Sequence, residues 1–262
     1  MIVKQTQPFE YGYNSISEIN GKNSSMLMDF GIIRFKDGMV YENEADKERT
    51  FLLIQGKVTL KWEDKEEVIE RNSCFDENPW CLHVPRDVKV TIEGLSEAEV
   101  AYQAVYNDNA FVSKLYTNKE LRSEQFGAGT LGETATRTVR TVIDDSIAPY
   151  SNLVIGEVIN HPGKWSSYPP HHHPQPEIYY YRFTPEMGFG YSEHGDEVFK
   201  VRHNDTALIE GGNTHSQTAA PGYAMYYLWL IPHLKDARFN DRIFVDEHKW
   251  LLDKDAVIWP NK

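Results

Sequence analysis

Cysteine is scarce in this sequence. Cys74 and Cys81 are the only two among 262 residues, and they are not spaced as a Cys-x-x-Cys pair. A disulfide framework is not expected, and a reducing compartment fits better. Basic residues are also in short supply: 27 Lys and Arg face 39 Asp and Glu, a formal charge of −12. That balance argues against nonspecific binding to nucleic acid or anionic lipid, and an anionic small substrate would need a local basic patch. No apolar run approaches the ~20 residues that cross a bilayer. Met1-Ile-Val-Lys-Gln-Thr-Gln-Pro8 lacks the apolar core of a signal peptide. The expectation is a soluble cytoplasmic protein with no membrane or nucleic-acid partner. The most informative shortage is of histidine in the first half. Of ten histidines only His83 precedes residue 160, so histidine chemistry belongs to the second half.

What is present is a succession of short β-favouring segments. Thr50–Gly56 is a compact apolar run ending in glycine, and Lys57–Trp62 alternates with period two. Further strands are expected at Met26–Phe35, Val68–Phe75, Trp80–Val84, Val88–Ile92 and Ala98–Val105. Turn signals every eight to twelve residues or so suggest a sandwich or barrel. Residues 107–150 break the rhythm. Phe126-Gly-Ala-Gly-Thr-Leu-Gly132 lacks the strand–helix context of a nucleotide loop and reads as a connector, and Thr134–Ile143 reads as a strand. The pattern then restarts with Leu153–Ile159, Ile178–Phe183, Phe189–Tyr191, Glu197–Val201, Thr206–Glu210, Ser216–Ala219 and Tyr223–Ile231. This is a degenerate internal repeat. Val68–Phe75 mirrors Val201–Ile209, and Pro85-Arg-Asp-Val88 mirrors Gly212-Asn-Thr-His215, so Val88 stands where the second half has His215. Two similar β-domains are expected: 1–150, including the connector and without a metal site, and 151–262, with the histidines. The tail Asp236–Lys262 should pack back on the second domain, with a helical turn at Asp246–Leu252.

The chemistry concentrates in Tyr168-Pro-Pro-His171-His172-His173-Pro-Gln-Pro-Glu177-Ile-Tyr-Tyr-Tyr-Arg182. Alternate residues of a strand face the same way, so His171 and His173 point together and His172 points away. Pro174 and Pro176 forbid a continuous paired strand, and the bend they force lets Glu177 face the same point. His215 follows a Gly-Gly-Asn-Thr turn. Three imidazoles and one carboxylate suit a divalent first-row ion such as Zn, Mn or Fe, and ligand identity does not choose among them. A triple-histidine run in a loop can also be merely solvated; the partner carboxylate and the distant Gly-x-x-His weigh against that. His194 and His203 sit in turns and are expected in solvent. Tyr179 and Tyr181 share the parity of Glu177 and are candidates to touch substrate. Arg182 is the nearest cation, a candidate anion-binding group or a structural ion pair.

His-x-His-x-x-x-Glu followed by Gly-x-x-His resembles the two motifs of the cupin superfamily, double-stranded β-helix barrels. Trp165-Ser-Ser-Tyr-Pro-Pro-His171, Glu177-Ile-Tyr-Tyr-Tyr-Arg182, Gly188-Phe-Gly and Ala219-Ala-Pro-Gly-Tyr-x-x-Tyr-Tyr-Leu228 resemble the 5-deoxy-glucuronate isomerase family of inositol catabolism. The resemblance departs after Gly190, where that family continues with Gln-Arg and this chain has Tyr191-Ser-Glu-His194. It implies an all-β bicupin, a tandem double-stranded β-helix, with His171, His173, Glu177 and His215 as metal ligands. It also implies an aldose–ketose isomerase, an intramolecular oxidoreductase acting on a deoxy uronic acid. Under that implication Glu193 and Tyr181 are candidate bases, Tyr179 and Tyr181 face substrate, and Arg182 or Lys200 meets its carboxylate. A metal-dependent cupin dioxygenase and a non-catalytic sugar-binding cupin remain alternatives. Exposed barrel edges would allow a homo-oligomer.

Overall fold

The structure is a computed structural model that describes residues 1–253 and 255–260. Lys254, Asn261 and Lys262 of the expected tail lie outside the described residues. Among the described residues the chain is almost all β, as its periodicity implies, with three curled sheets and only short 3₁₀ turns. It divides into two units. One comprises Thr6–Arg122 and Thr141–Ile155; the other comprises Met1–Gln5, Ser123–Arg140 and Gly156–Lys262. Within the 107–150 region, residues 107–122 and 141–150 therefore go with the first unit and 123–140 with the second.

In the first unit the long strand Glu48–Trp62 organises the rest. Its first half lies between Cys81–Val84 and Ala98–Val105, and its second half between Lys65–Arg71 and Val90–Gly94. Two separate strands were expected here. They run as one because Gly56, at φ +96, bends the chain without ending it, and the register shifts between Leu53 and Gln55. A Cβ at Gly56 would lie 2.5 Å from Ala98 Cα, so the crossing of the two strands requires glycine.

The second unit repeats the arrangement. Thr206–Ile209, Glu177–Thr184, Ala224–Pro232 and Leu153–Asn160 are neighbours in that order, as are Cys81–Val84, Glu48–Trp62, Ala98–Val105 and Asp29–Phe35 in the first. The sheet continues through Arg137–Ile143 to Arg122–Phe126, and Ile2–Val3 adds an edge beside Thr206–Ile209. A five-stranded sheet completes the unit, in the order Glu197–Arg202, Phe189–His194, His215–Ala219, Trp165–His172, Ile243–Phe244. Alternate residues of these strands, among them Tyr179, Tyr181, Phe183, Met225, Tyr227 and Val158, form one buried cluster. Each such side chain is worth about 1.5–3 kcal/mol of apolar burial.

The duplicated topology also shows why the first unit lacks a histidine site. Glu177 pairs with Ile209, the last residue of its strand, and Arg49 pairs with Val84, likewise a last residue. Arg49 thus stands at the position of Glu177. It is fully buried, and its guanidinium donates to Asn43 Oδ1 at 2.8 Å and to the carbonyls of Val88 at 2.6 Å, Pro85 at 3.1 Å and Lys47 at 3.1 Å. At Val88 it is the backbone carbonyl, not a ligating side chain, that meets this cation. Arg49→Met should cost about 3 kcal/mol or more, because those buried carbonyls lose their donor. A thermal melt reads this as a lowered midpoint, with Arg49→Lys intermediate; an unchanged midpoint for Arg49→Met would contradict the account.

Candidate metal centre

The site is assembled from three strand ends and one turn. Strand Trp165–His172 pairs antiparallel with His215–Ala219, and His171 lies directly across from His215. The register shifts between Ser166 and His171, around Pro169 and Pro170, which lack the N–H a regular ladder uses. The chain then turns through His173-Pro-Gln-Pro. The Gly212 N–H donates to the His173 carbonyl at 2.8 Å, and Gln175 Nε2 donates to the Ala237 carbonyl at 2.6 Å. The turn delivers Glu177 as the first residue of the next strand.

His171, His173, Glu177 and His215 are all buried, between 1% and 4% exposed. His173 Nε2 lies 3.2 Å and His215 Nε2 3.1 Å from the same Glu177 oxygen, Oε2. The ligand atoms of these three residues all lie within 4.8 Å of one another. His171 flanks them, its ring 4.6 Å from that of His215 and 6.4 Å from that of His173. Each imidazole is oriented in the same way. Nδ1 of His171 faces the Pro169 carbonyl at 3.2 Å, that of His173 the Gln175 carbonyl at 3.0 Å, and that of His215 the Asn213 carbonyl at 3.0 Å. A carbonyl only accepts, so Nδ1 carries the proton and donates in all three, and a ring without a second proton presents an Nε2 lone pair. His215 Nε2 is buried without a hydrogen-bond partner. Lone pairs aimed at a carboxylate oxygen repel it unless a proton or a cation lies between them. The donor set and its outer hydrogen bonds therefore fit a divalent ion.

The electrostatics agree with the geometry. Burial alone would raise the Glu177 pKa, but the His173 and His215 rings beside it outweigh burial and hold the carboxyl well below its usual range. Burial would lower that of His215, but Glu177 reverses the effect and raises it. His171 is pushed down to about 3, first by burial and then by the charges of His215 and Arg242.

Aromatic groups enclose the cluster. Tyr179 lies 6.0 Å from the His215 ring and 4.6 Å from Tyr227. Tyr181 donates to Gln217 Oε1 at 2.7 Å, Tyr227 donates to Ser166 Oγ at 2.8 Å, and Tyr179 Oη lies 3.1 Å from Ser167 Oγ. On the other side Phe239 packs edge-on against His173 at 4.9 Å and Phe244 against His171 at 5.8 Å. Phe244 belongs to the Ile243–Phe244 strand, which pairs with His171 and His172. The tail thus packs back as expected, and it does so onto the histidines.

Several expected site residues lie elsewhere. Tyr191 and Ser192 pair with Thr218 and Gln217, and the next residue, Glu193, accepts from Ser216 Oγ at 2.5 Å. Gln217 shares the side of His215, so Glu193 and Ser216 occupy the opposite face, and Glu193 is not aimed at the cluster. Lys200 pairs with Tyr191, is exposed, and lies over the Phe189 ring at 4.0 Å. Arg182 is buried on the other face of its strand, where Nε donates to Tyr180 Oη at 2.9 Å and Nη1 to His203 Nε2 at 3.0 Å. Neither cation faces the cluster of His171, His173, Glu177 and His215. Tyr179 and Tyr181 do face inward. His172, expected to point away from its two neighbours, is half-buried where they are buried. His194 and His203, expected in solvent, are both largely covered, His194 at 7% exposed and bonded to Ser192 Oγ at 2.9 Å. The sequence singles out neither Gln217 nor Tyr227, and it offers Phe239 and Phe244 only as tail aromatics expected to pack back. For Gln217 a signal existed: it lies two residues beyond His215 on the same strand.

His194 and His203 generate a pH dependence. Burial, then the Met1 amino charge, pushes His194 down to about 3; burial, then Arg182, pushes His203 down to about 4. Unfolded histidines titrate near roughly pH 6.5. Between these values the unfolded chain binds more protons than the folded one, so stability falls as pH drops. The thermal midpoint should decline progressively from about pH 6.5 toward 4, and His203→Asn should flatten that slope. A midpoint independent of pH across that window would contradict the burial of these rings.

The comparisons with known proteins place this geometry in a family. Residues 1–251 match the family model described as the KduI/IolB family. The 5-deoxy-glucuronate isomerase of Bacillus licheniformis is 27% identical over a 275-residue alignment covering 95% of this chain and 97% of that protein. The 5-deoxy-glucuronate isomerase of Bacillus subtilis strain 168 is 26% identical over the same shares. Among solved structures, an IolB-like protein of Salmonella typhimurium LT2 superposes with a TM-score of 0.86 at 22% identity, over 96% of this chain and 99% of that one. Oxalate decarboxylase of Bacillus subtilis superposes with a TM-score of 0.66 at 11% identity, over 94% of this chain and 78% of that one, which bears on the cupin fold alone. The family match spans both β units and the strands that carry all four candidate ligands, and this chain belongs to the KduI/IolB family.

Proposed function

We propose that this protein is a metal-dependent aldose–ketose isomerase acting on a deoxy uronic acid, converting 5-deoxy-glucuronate to 2-deoxy-5-keto-gluconate in cytoplasmic inositol catabolism. The observation that carries the proposal is the convergence of buried imidazole nitrogens on Glu177 Oε2, each ring fixed by a backbone carbonyl. The names of the relatives supply the substrate. His171, His173, Glu177 and His215 would hold one divalent transition-metal ion, Zn, Mn or Fe. Such an ion supplies Lewis acidity toward a substrate carbonyl.

The chain's own residues do the remaining work. Burial raises the pKa of Tyr179 and Tyr181 well above the usual phenol value, so both hydroxyls are protonated and serve as hydrogen-bond donors rather than bases. Tyr179, Tyr181 and Gln217 offer polar atoms beside His215 to the hydroxyls of a bound sugar. Phe239 and Phe244 exclude water from the far side of the histidines, which strengthens the electrostatics inside. The reaction moves a proton between adjacent carbons, C2 and C1. Glu193 is badly placed for it, being hydrogen-bonded to Ser216 on the opposite sheet face.

His173→Ala and His215→Ala should each lose bound metal, measured by elemental analysis, and lose turnover on a panel of deoxyuronates. Full activity in either metal-free variant sinks the proposal. Oxygen consumption by an iron-loaded sample without isomerisation would replace it with a dioxygenase. Stripping the metal from the wild type should also lower its thermal midpoint, by about 2.7 kcal/mol of stability relative to metal at a hundredfold excess over Kd.

A further inference from the structure

Arg137 is a buried cation without an anion. It opens the strand Arg137–Ile143 and is 9% exposed. Nη1 donates to the Ala135 carbonyl at 2.8 Å; among the described residues no protein group accepts from Nε or Nη2, and no carboxylate lies within ion-pair distance. A buried guanidinium in that condition is costly unless something negative meets it. The fold has built a holder for it. The guanidinium lies over the Phe126 ring at 5.7 Å. Gly127, at φ +77, passes so close that a Cβ there would strike the Ala135 carbonyl and sit 3.1 Å from Arg137 Nη1. The glycine-rich connector is thus one wall of the arginine's surroundings.

The strand places Arg137 on the side of the candidate metal centre. Val139, two residues on, packs against the buried cluster that contains Tyr179, Tyr181 and Tyr227. Arg137 shares that face, whereas Arg140 pairs with Glu157 on the other at 3.2 Å. Burial lowers the basicity of Arg137, Tyr227 opposes that effect, and the Arg242 charge adds to it. Tyr227 in turn lies 4.6 Å from Tyr179, and Tyr179 6.0 Å from His215. An unneutralised cation therefore stands at one end of a row of tyrosines, with the histidines and Glu177 at the other.

We infer that Arg137 binds the carboxylate of the sugar acid, so that its carbonyl end reaches the histidine cluster. The assignment rests on the site being one for a uronic acid. It replaces Arg182 and Lys200, which face elsewhere. Guanidinium and carboxylate match as a bidentate pair, and a chain with formal charge −12 needs such a local cation to hold an anionic substrate.

The test compares wild type, Arg137→Met and Arg137→Lys on 5-deoxy-glucuronate and on its uncharged 6-carboxamide. Binding is read by calorimetry and turnover by steady-state kinetics, alongside metal content and thermal midpoint. Arg137→Met should raise Kd and KM for the carboxylate at least about 30-fold and change those for the carboxamide less than about threefold, with metal content unaltered. Arg137→Lys should fall between, since it keeps the charge and loses the fork. An equal loss on both compounds, or no loss, overturns the assignment. So does a wild type that does not prefer the carboxylate, whether or not Arg137→Met folds. Wild type that binds the uronate in an Arg137-dependent way without isomerising it would sink the isomerase proposal and leave the assignment standing. Normal turnover by Arg137→Met would do the reverse.

Discussion

A carboxylate buried away from water is the constraint around which the second unit is built. Glu177 is 4% exposed, and an uncompensated charge at such depth would cost several kcal/mol. The groups that face it are imidazoles, brought to it by the His171↔His215 pairing and by the proline-rich turn from His173 to Glu177, and a proton or cation between ring and carboxylate completes the compensation. The rings are themselves held by three backbone carbonyls. Position and protonation are thus set together: a ring that has given its Nδ1 proton to a carbonyl has only a lone pair to turn inward.

The first unit meets the same problem with the opposite charge. At the equivalent place Arg49 carries its own cation into the interior and satisfies it with Asn43 Oδ1 and the carbonyls of Pro85, Val88 and Lys47. A guanidinium tethered by its own side chain cannot be exchanged for an ion or a substrate. Strand order is common to both units, although the 15-residue strand of the first is matched by only eight residues, Glu177–Thr184, in the second, and only the unit with Glu177 brings histidines to that position. One substitution class, acid against base at a strand start, separates a filled interior from a reactive one.

The inner wall of the second unit is polar in a restricted way. Tyr179, Tyr181 and Tyr227 each bury a ring and hold a hydroxyl against Ser167, Gln217 or Ser166. Rings supply the packing that closes the sheets, and hydroxyls supply direction without charge. Charge stands at the two ends of the row, at Glu177 with its histidines and at Arg137, with the Arg242 charge felt at both His171 and Arg137. Such a lining suits a molecule with many hydroxyls, a reactive carbonyl at one end and a negative group at the other.

The sequence by itself determined the fold class, the duplication and the candidate ligands. Period-two runs, turn spacing and His-x-His-x-x-x-Glu with a later Gly-x-x-His are local features, and local sterics translate them into strands and alternating faces. Tertiary structure alone decided which face was the inner one. Glu193 and Ser192 are neighbours in sequence, yet one meets Ser216 on one side of the sheet while the other pairs with Gln217 and holds His194. A one-residue change of register exchanges the two sides, and register is set by pairing with distant strands. For the same reason Arg182, beside the motif, turns to His203, while Arg137, some forty residues away, shares a strand face with Val139, which packs against the tyrosines. The two-residue strand Ile243–Phe244 has too little pattern to be read at all, and it exists because His171 and His172 offered it an edge.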